Sequence, residues 1–596
     1  MFAVFNWFWT ILKGTLNGIA KLVMFFVLLF AVLFVIGLLQ GDSLGKRMVL
    51  ELDLRQPMQD KVAQGPFDLG TDRLSIMDVV LGLEAAERDT RVAGVFIRVG
   101  SGALSVPKAE ELRDALKHFR ASGKFVIAHS QGFDSGELGD YVLAAATDEI
   151  WMQPASSFFP AGTAGGTVFL KGFFDKIDAT PQFAKRYEYK NAADTFTEKD
   201  YTPAHREATT RVLQSWYDNA TADMAADRKM DRSALTAFLD NSPTVVAEVK
   251  AKGLINTIGY DDDAREHALA RAGDGAKIVQ FAKFAKVKRQ LQGVMGGPKI
   301  ALIHAAGDIV EGKLEGSPFG SEVIIASDDF AKSIRDATKD NNIKAIVLRV
   351  DSPGGSAIAA DQILDALKKA HAAGKPIVVS MGSVAASGGY YISLAADRIV
   401  AEPSTLTGSI GVFAGKLAIG KSLELLGIEA KEIGIGKNAL FGSGIEPWNQ
   451  EQLAKLDQQV DMIYDDFTNK VAAGRKLPLA TVQQVARGRV WTGADAKERG
   501  LVDELGGFWT AVGDAKKLAG ISPDTHVAFV TYPKPKGWWA AFSNAFSESQ
   551  TSIKALQGLN TLLQSAPVKI LMGAMRAAPD GHAQMQAVGL PEQGSR

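Results

Sequence analysis

The sequence predicts an α/β protein made of two tandem copies of one strand–helix unit, preceded by an N-terminal transmembrane helix. Three observations lead there. The body matches itself at a spacing of about 250 residues. Each copy alternates short β-branched runs with amphipathic stretches, the pattern of a largely parallel sheet with right-handed crossovers. An uncharged apolar run lies ahead of both copies. At 596 residues the chain is too long for one core and suits three or four domain-sized units.

Residues 1–45 read as a tail and a single span. "LVMFFVLLFAVLFVIGLL", Leu22 to Leu39, matches the roughly 20 residues a helix needs to cross a bilayer. A cleaved signal peptide has a shorter apolar region and ends at a small-x-small site, which "LLQGDSLGKRM" offers only weakly, so a retained anchor is expected. Lys13 and Lys21 precede the span and Lys46 and Arg47 follow it, so the positive-inside count is nearly even. No second span of that length follows, and the body is expected on one side of the membrane.

The first copy is placed at residues 46–296 and the second at 297–532, on five matches in one order. "MVLELDL" (Met48 to Leu54) matches "IALIHAA" (Ile300 to Ala306), and "GVFIRVGSG" (Gly94 to Gly102) matches "AIVLRVDSPGG" (Ala345 to Gly355). "ELRDALKHFRASGKFVIA" (Glu111 to Ala128) matches "QILDALKKAHAAGKPIVV" (Gln362 to Val379). "YVLAAATDEIWMQP" (Tyr141 to Pro154) matches "YISLAADRIVAEP" (Tyr391 to Pro403), and "AKGLINTIG" (Ala251 to Gly259) echoes "ERGLVDELG" (Glu498 to Gly506). "AIVLRV" is a continuous apolar strand, buried on both faces, whereas "DDFAKSIRDATKD" spaces its apolar residues as a helix does. Charged helical segments, "TPAHREATTRVLQSWYDNATADMAADRKM" and "NQEQLAKLDQQVDMIYDDFTNKVAAGRKL", carry apolar faces suited to packing on the other copy or another subunit. Residues 533–596 form a C-terminal tail, apolar-rich but broken by proline and glycine, that ends in a stretch read as disordered.

Composition narrows the chemistry. With 66 basic and 67 acidic residues nothing argues for a nucleic-acid partner. The absence of cysteine excludes disulfides, thiol catalysis and thiolate metal sites. No metal or cofactor is expected.

Ligands of open α/β sheets bind at the loops after the strands, and there the copies differ. The second copy has "RVDSPGGSA", Arg349 to Ala357, where the first has only "RVGSGALSV". The paired Gly354 and Gly355 let backbone amides approach a substrate, and the Gly354 N–H is a candidate oxyanion donor. Next come "MGSVAASGGYY", Met381 to Tyr391, and the serine of Gly408-Ser409-Ile410-Gly411. A lone G-S-x-G is most simply a tight turn. Three small-residue loops in succession instead suggest room for an extended peptide or acyl chain beside Ser409. Asp351, Ser352, Gly355, Ser387 and Gly388 are expected to line that groove, and the amide of Ile410 would be the second oxyanion donor.

A nucleophilic serine needs a base. None of the eight histidines falls between Ser409 and His526, and His304 and His371 read as structural. Lysine is the next base to consider, and an apolar setting must lower it from about 10.4. Lys190 in "RYEYKNAADTF" and Lys437 in "GIGKNALFGS" occupy matching places in the two copies, and spacing alone does not choose between them.

Taken together, "RVDSPGGS", "VAASGGYYIS", "AEPSTLTGSIGVF" and "YEYKNAADTF" resemble the signal peptide peptidase A group, also called protease IV (peptidase family S49), in its long, duplicated, membrane-anchored bacterial form. The resemblance implies a tandem ClpP/crotonase-like fold and a Ser/Lys dyad, with Ser409 as nucleophile and Lys190, from the first copy, as general base. It further implies a homotetramer on the periplasmic face of the bacterial inner membrane that degrades cleaved signal peptides and other unfolded apolar peptides. Thr163 in "PAGTAGG" roughly overlays Ser409 and reads as a degenerate remnant. A crotonase-like acyl-CoA enzyme and a non-catalytic membrane scaffold are the alternatives from other classes.

Overall fold

The computed structural model describes residues 44–61, 73–292, 296–314, 323–534 and 584–586, together with Lys21 and Phe25. The expected anchor, apart from Phe25, and most of the C-terminal tail lie outside the described residues. Among the described residues no helix is long and apolar enough to cross a membrane.

The first copy opens with β1 (Met48–Asp53), β2 (Val92–Val99), β3 (Phe125–Ser130) and β4 (Glu149–Met152). After the short β5 (Ser157–Phe158) come β6 (Thr180–Arg186), β7 (Thr244–Val245), which pairs with β5, then β8 (Thr257–Ile258) and β9 (Lys277–Gln280). Its main sheet runs β8-β4-β3-β2-β1-β9 and is parallel throughout. Every residue of β3 is buried, as expected for a strand covered on both faces.

The second copy contributes β10 (Lys299–Ala306), β11 (Asp308–Val310), β12 (Ile324–Ala326), β13 (Ile343–Ser352), β14 (Gly354–Ser356) and β15 (Ile377–Ala386). It continues with β16 (Arg398–Ala401), β17 (Leu406–Gly408), β18 (Val412–Ala418), β19 (Val490–Thr492), β20 (Glu504–Leu505) and β21 (Ala528–Tyr532). Its sheet runs β19-β17-β15-β13-β10-β21, with β16 and β20 branching from β15. The repeat is visible in the pairing itself: β9 lies beside β1 as β21 lies beside β10.

Two stretches that the sequence suggests are loops are largely strand. β13 runs on to Ser352 and β15 to Ala386, across a register break between Val350 and Ser352. The carboxylate of Asp351 bridges that break by accepting the Val384 N–H at 3.0 Å.

A third sheet ties the copies together in the order β12-β11-β14-β22-β18-β6, where β22 is Gln584–Gln586. In it, β6 of the first copy pairs antiparallel with β18 of the second, from Thr180 opposite Ala418 to Arg186 opposite Val412. The seam is also held by the helix Val106–Ala121. Its Glu111 and the nearby Asp60 take the buried Arg349 guanidinium at 2.6 and 2.7 Å, and its Glu110 accepts the Ser404 N–H at 2.9 Å.

Candidate active site

Lys190 follows directly on the crossing strand. β6 ends at Arg186, and the Tyr187 N–H continues the contact by donating to the Arg487 carbonyl at 3.1 Å. Behind the lysine, the buried Asp194 carboxylate takes the Lys185 ammonium and lies 3.2 Å from His205 Nδ1, which fixes the turn. The lysine is thereby carried into the second copy, where it is 1% exposed.

There its Nζ donates to Ser409 Oγ at 3.0 Å, to the Ser409 carbonyl at 3.0 Å and to Ser387 Oγ at 2.9 Å. Ser409 and Ser387 are buried too. Burial pushes the Lys190 amine down from its ordinary value to about 7. An amine in such a setting is half unprotonated near neutral pH and has a hydroxyl within proton-transfer distance.

The backbone around the serine is held in an unusual conformation. Gly408, Ser409 and Ser387 have φ of 73°, 50° and 54°, the left-handed region that non-glycine residues enter rarely. The loop Arg487–Arg489 clamps the turn on both sides. Ser409 N–H donates to the Arg489 carbonyl at 2.7 Å, and Gly488 N–H donates to the Ile410 carbonyl at 2.8 Å. A Cβ on Gly488 would stand 2.6 Å from the Lys190 backbone nitrogen, so only glycine allows this approach.

The structure thus brings Lys190, Ser409 and Ser387 together. It does not bring Lys437 with them: that side chain is at the surface, 2.6 Å from Glu451. His304 is half-buried in β10, where desolvation pushes it down to about 4, while His371 pairs with Asp397 on the surface. Of the two expected oxyanion donors, Ile410 N–H has no acceptor among the described residues. Gly354 N–H faces Ser352 Oγ at 3.2 Å, a long bond that a substrate oxygen would have to displace.

Of the residues expected to line the groove, Ser352, Ser387 and Gly388 are buried, as Ser409 itself is, and their small size permits close backbone contact. A Cβ on Gly355 would collide with the Ile309 carbonyl, and one on Gly389 would stand 2.6 Å from the Ser352 carbonyl. Asp351 serves the register break described above.

Ser387 as a partner of the lysine was missed by the sequence reading, which put it in the groove. A signal existed: the first copy carries Leu138 at the matching place, so the hydroxyl occurs only in the copy that has the serine. The clamp at Arg487–Arg489 left no such signal.

In the first copy the corresponding corner is closed. The sequence match sets Tyr141 against Tyr391, but the structure shifts it by one residue: Tyr141 and Tyr390 are equivalent, and their hydroxyls donate to the carbonyls of Leu254 and Leu501. Asp140, preceding the former, stands where the second copy has Gly389. Its carboxylate accepts the N–H groups of Gly100 at 3.1 Å, Gly102 at 2.6 Å and Leu104 at 3.3 Å. The amides that could stabilise an oxyanion are capped by the copy's own carboxylate. The Thr163 hydroxyl, for its part, donates to the Leu213 carbonyl at 2.9 Å.

The α/β core is that of a ClpP-like serine peptidase: the model of the ClpP-like SDH-type serine proteinases matches residues 276–440. More narrowly, the chain belongs to peptidase family S49, whose model matches it twice, at residues 118–273 and 369–522. Relatives include Protease 4 of Salmonella typhi, 32% identical over 86% of this chain and 86% of that protein. Protease 4 of Haemophilus influenzae is 30% identical over 88% of each chain. The chloroplastic serine protease SPPA of Arabidopsis thaliana is 32% identical over 82% of this chain and 72% of its own.

Proposed function

We propose that this serine peptidase works through a Ser409/Lys190 dyad assembled from its two copies. Neutral Lys190 takes the proton of Ser409 Oγ as that oxygen attacks a peptide carbonyl. The N–H of Ile410, joined by that of Gly354, holds the developing oxyanion. The lysine, now an ammonium, gives its proton to the leaving amine, and an acyl-enzyme on Ser409 remains. Water activated by the same amine then hydrolyses the ester. Ser387 holds the amine in line throughout.

The observation that carries this reading is the 3.0 Å contact between a buried amine from one copy and a buried hydroxyl from the other. The expected substrates are cleaved signal peptides and other unfolded apolar peptides. The expected setting is a homotetramer anchored by residues 22–39 in the bacterial inner membrane, with the body in the periplasm. The test is a serine-reactive fluorophosphonate combined with a peptide-cleavage assay. Ser409 is expected to take the label. Ser409→Ala and Lys190→Ala should each abolish cleavage, and Lys437→Ala should retain it. Activity in Lys190→Ala together with its loss in Lys437→Ala overturns the assignment of the base.

A further inference from the structure

Between Gly488 and β19 stands a residue that touches both halves of the candidate site. Arg489 offers its carbonyl to the Ser409 N–H at 2.7 Å. Its guanidinium reaches the first copy. It lies 4.8 Å from the ring centroid of Tyr189, the residue before Lys190, and 2.6 Å from the Glu207 carboxylate. It also lies 4.2 Å from the ring centroid of Trp491. That indole is itself fixed: its Nε1–H donates to the Val485 carbonyl at 2.8 Å, and a Cβ on Gly408 would stand 2.9 Å from the ring. Main chain and side chain of one residue therefore meet the serine turn of one copy and the lysine segment of the other.

A guanidinium is planar and weakly hydrated, so it can lie on aromatic faces where an ammonium would keep its water. Here the side chain is 15% exposed, and its Nε is buried without a hydrogen-bond partner among the described residues. One carboxylate and two rings hold the charge. Arg487, by contrast, pairs with Glu188 in the solvent, and an exposed pair of that kind contributes little. The repeat supplies a separate observation. Counting back from the matched Gly253 and Gly500, Ser242 stands against Arg489 and Asn241 against Gly488. The copy whose corner is closed by Asp140 lacks the arginine.

We propose that Arg489 is a positioning residue, a clasp that sets the Lys190 segment against the serine turn and keeps water from the amine. The proposal rests on the Ser409/Lys190 reading for what is set in place, while the clasp itself can be measured without catalysis. Without the stacked guanidinium, Tyr189 shifts, the amine loses its line to the hydroxyl, and water reaches it. Misalignment lowers kcat, and hydration favours the charged amine, so the base works only at higher pH. Substrate binding is untouched, and KM stays.

The experiment compares peptide cleavage by the full-length native chain and Arg489→Lys, which keeps a cation for Glu207 and a carbonyl for Ser409 but cannot stack. At pH 7 kcat is expected to fall about tenfold, with KM within about twofold. The midpoint of the kcat/KM profile should rise from about 7 by about one pH unit, so that much of the loss is recovered at pH 9. A kcat within about twofold of the native value, or a loss with the midpoint unmoved, overturns the proposal. Tyr189→Leu removes the same contact from the other side and decides on the same readouts should the lysine variant not fold. The arm without catalysis is denaturant unfolding of the native chain, both single variants and the double variant. Arg489 and Tyr189 are expected to be coupled by about fivefold in the folding equilibrium constant, and additive effects overturn the proposal. Coupling in this arm with no cleavage by the native chain in the first would sink the dyad reading and leave the clasp standing.

Discussion

Lys190 sits in a pocket that offers it two serine hydroxyls and a carbonyl, and burial alone sets its proton affinity. A base works only when unprotonated, so kcat/KM is expected to rise with pH through about 7 and level off above it, in a peptide-cleavage pH profile. The same burial affects stability. An unfolded lysine keeps its proton up to about 10.4, whereas the folded one releases it near 7. Between those values the unfolded chain binds more protons, so the native protein gains stability as pH rises. Lys190→Met, inactive as an enzyme, is therefore expected to resist denaturant better than the native chain. The advantage should be on the order of 4 kcal/mol at pH 7 and fade towards pH 10. Ser387→Ala removes one of the amine's partners, and a loss of about 1–2 kcal/mol of positioning corresponds to roughly 5–30-fold in kcat. Restoration by Ser387→Thr separates that hydroxyl role from simple packing. Ser409 was legible because a serine between glycines follows two glycine-rich stretches, whereas Lys190 and Lys437 sit in the same "KNA" context. Local sequence records a residue's neighbours in the chain, and what separates these two lysines is a burial made by residues more than 190 positions away.

At the scale of elements, the decisive one is the antiparallel pairing of β6 with β18. It fixes the end of β6 beside Val412, so the three residues between Arg186 and Lys190 suffice to reach the serine turn. The Arg487–Arg489 loop closes over that approach, and Gly488→Ala is expected to lower kcat by about 100-fold or more with little change in secondary structure by circular dichroism. Its Cβ would have to displace the lysine backbone, and a 1 Å misplacement costs on that order. In the first copy, Asp140→Ala strips three amides of their shared acceptor. The expected result is about 2 kcal/mol or more of lost stability in denaturant unfolding, with kcat unchanged. The parallel strands were readable from their apolar runs and the five repeated matches. The bent ends of β13 and β15 were not, because small residues signal turns and close backbone packing alike.

Among the described residues two large sheets are joined by a mixed third, with Arg349 buried between Asp60 and Glu111 at the seam. Arg349→Met leaves two carboxylates without their cation, and a loss of about 3–5 kcal/mol is expected in thermal or denaturant unfolding. Cleavage activity and the seam should fail in the same transition, because the dyad exists only while the copies are docked. The duplication could be read by laying the sequence against itself, but the docking could not, since it depends on pairings between strands far apart in the chain. The crossing of β6 onto the other half has a further consequence. Hydroxyl and amine meet through a ladder and a salt network, with no role for the peptide that links the copies, so covalent continuity is dispensable. Fragments divided at Gly296 would complement one another as the parts of a split reporter do, each silent until mixed.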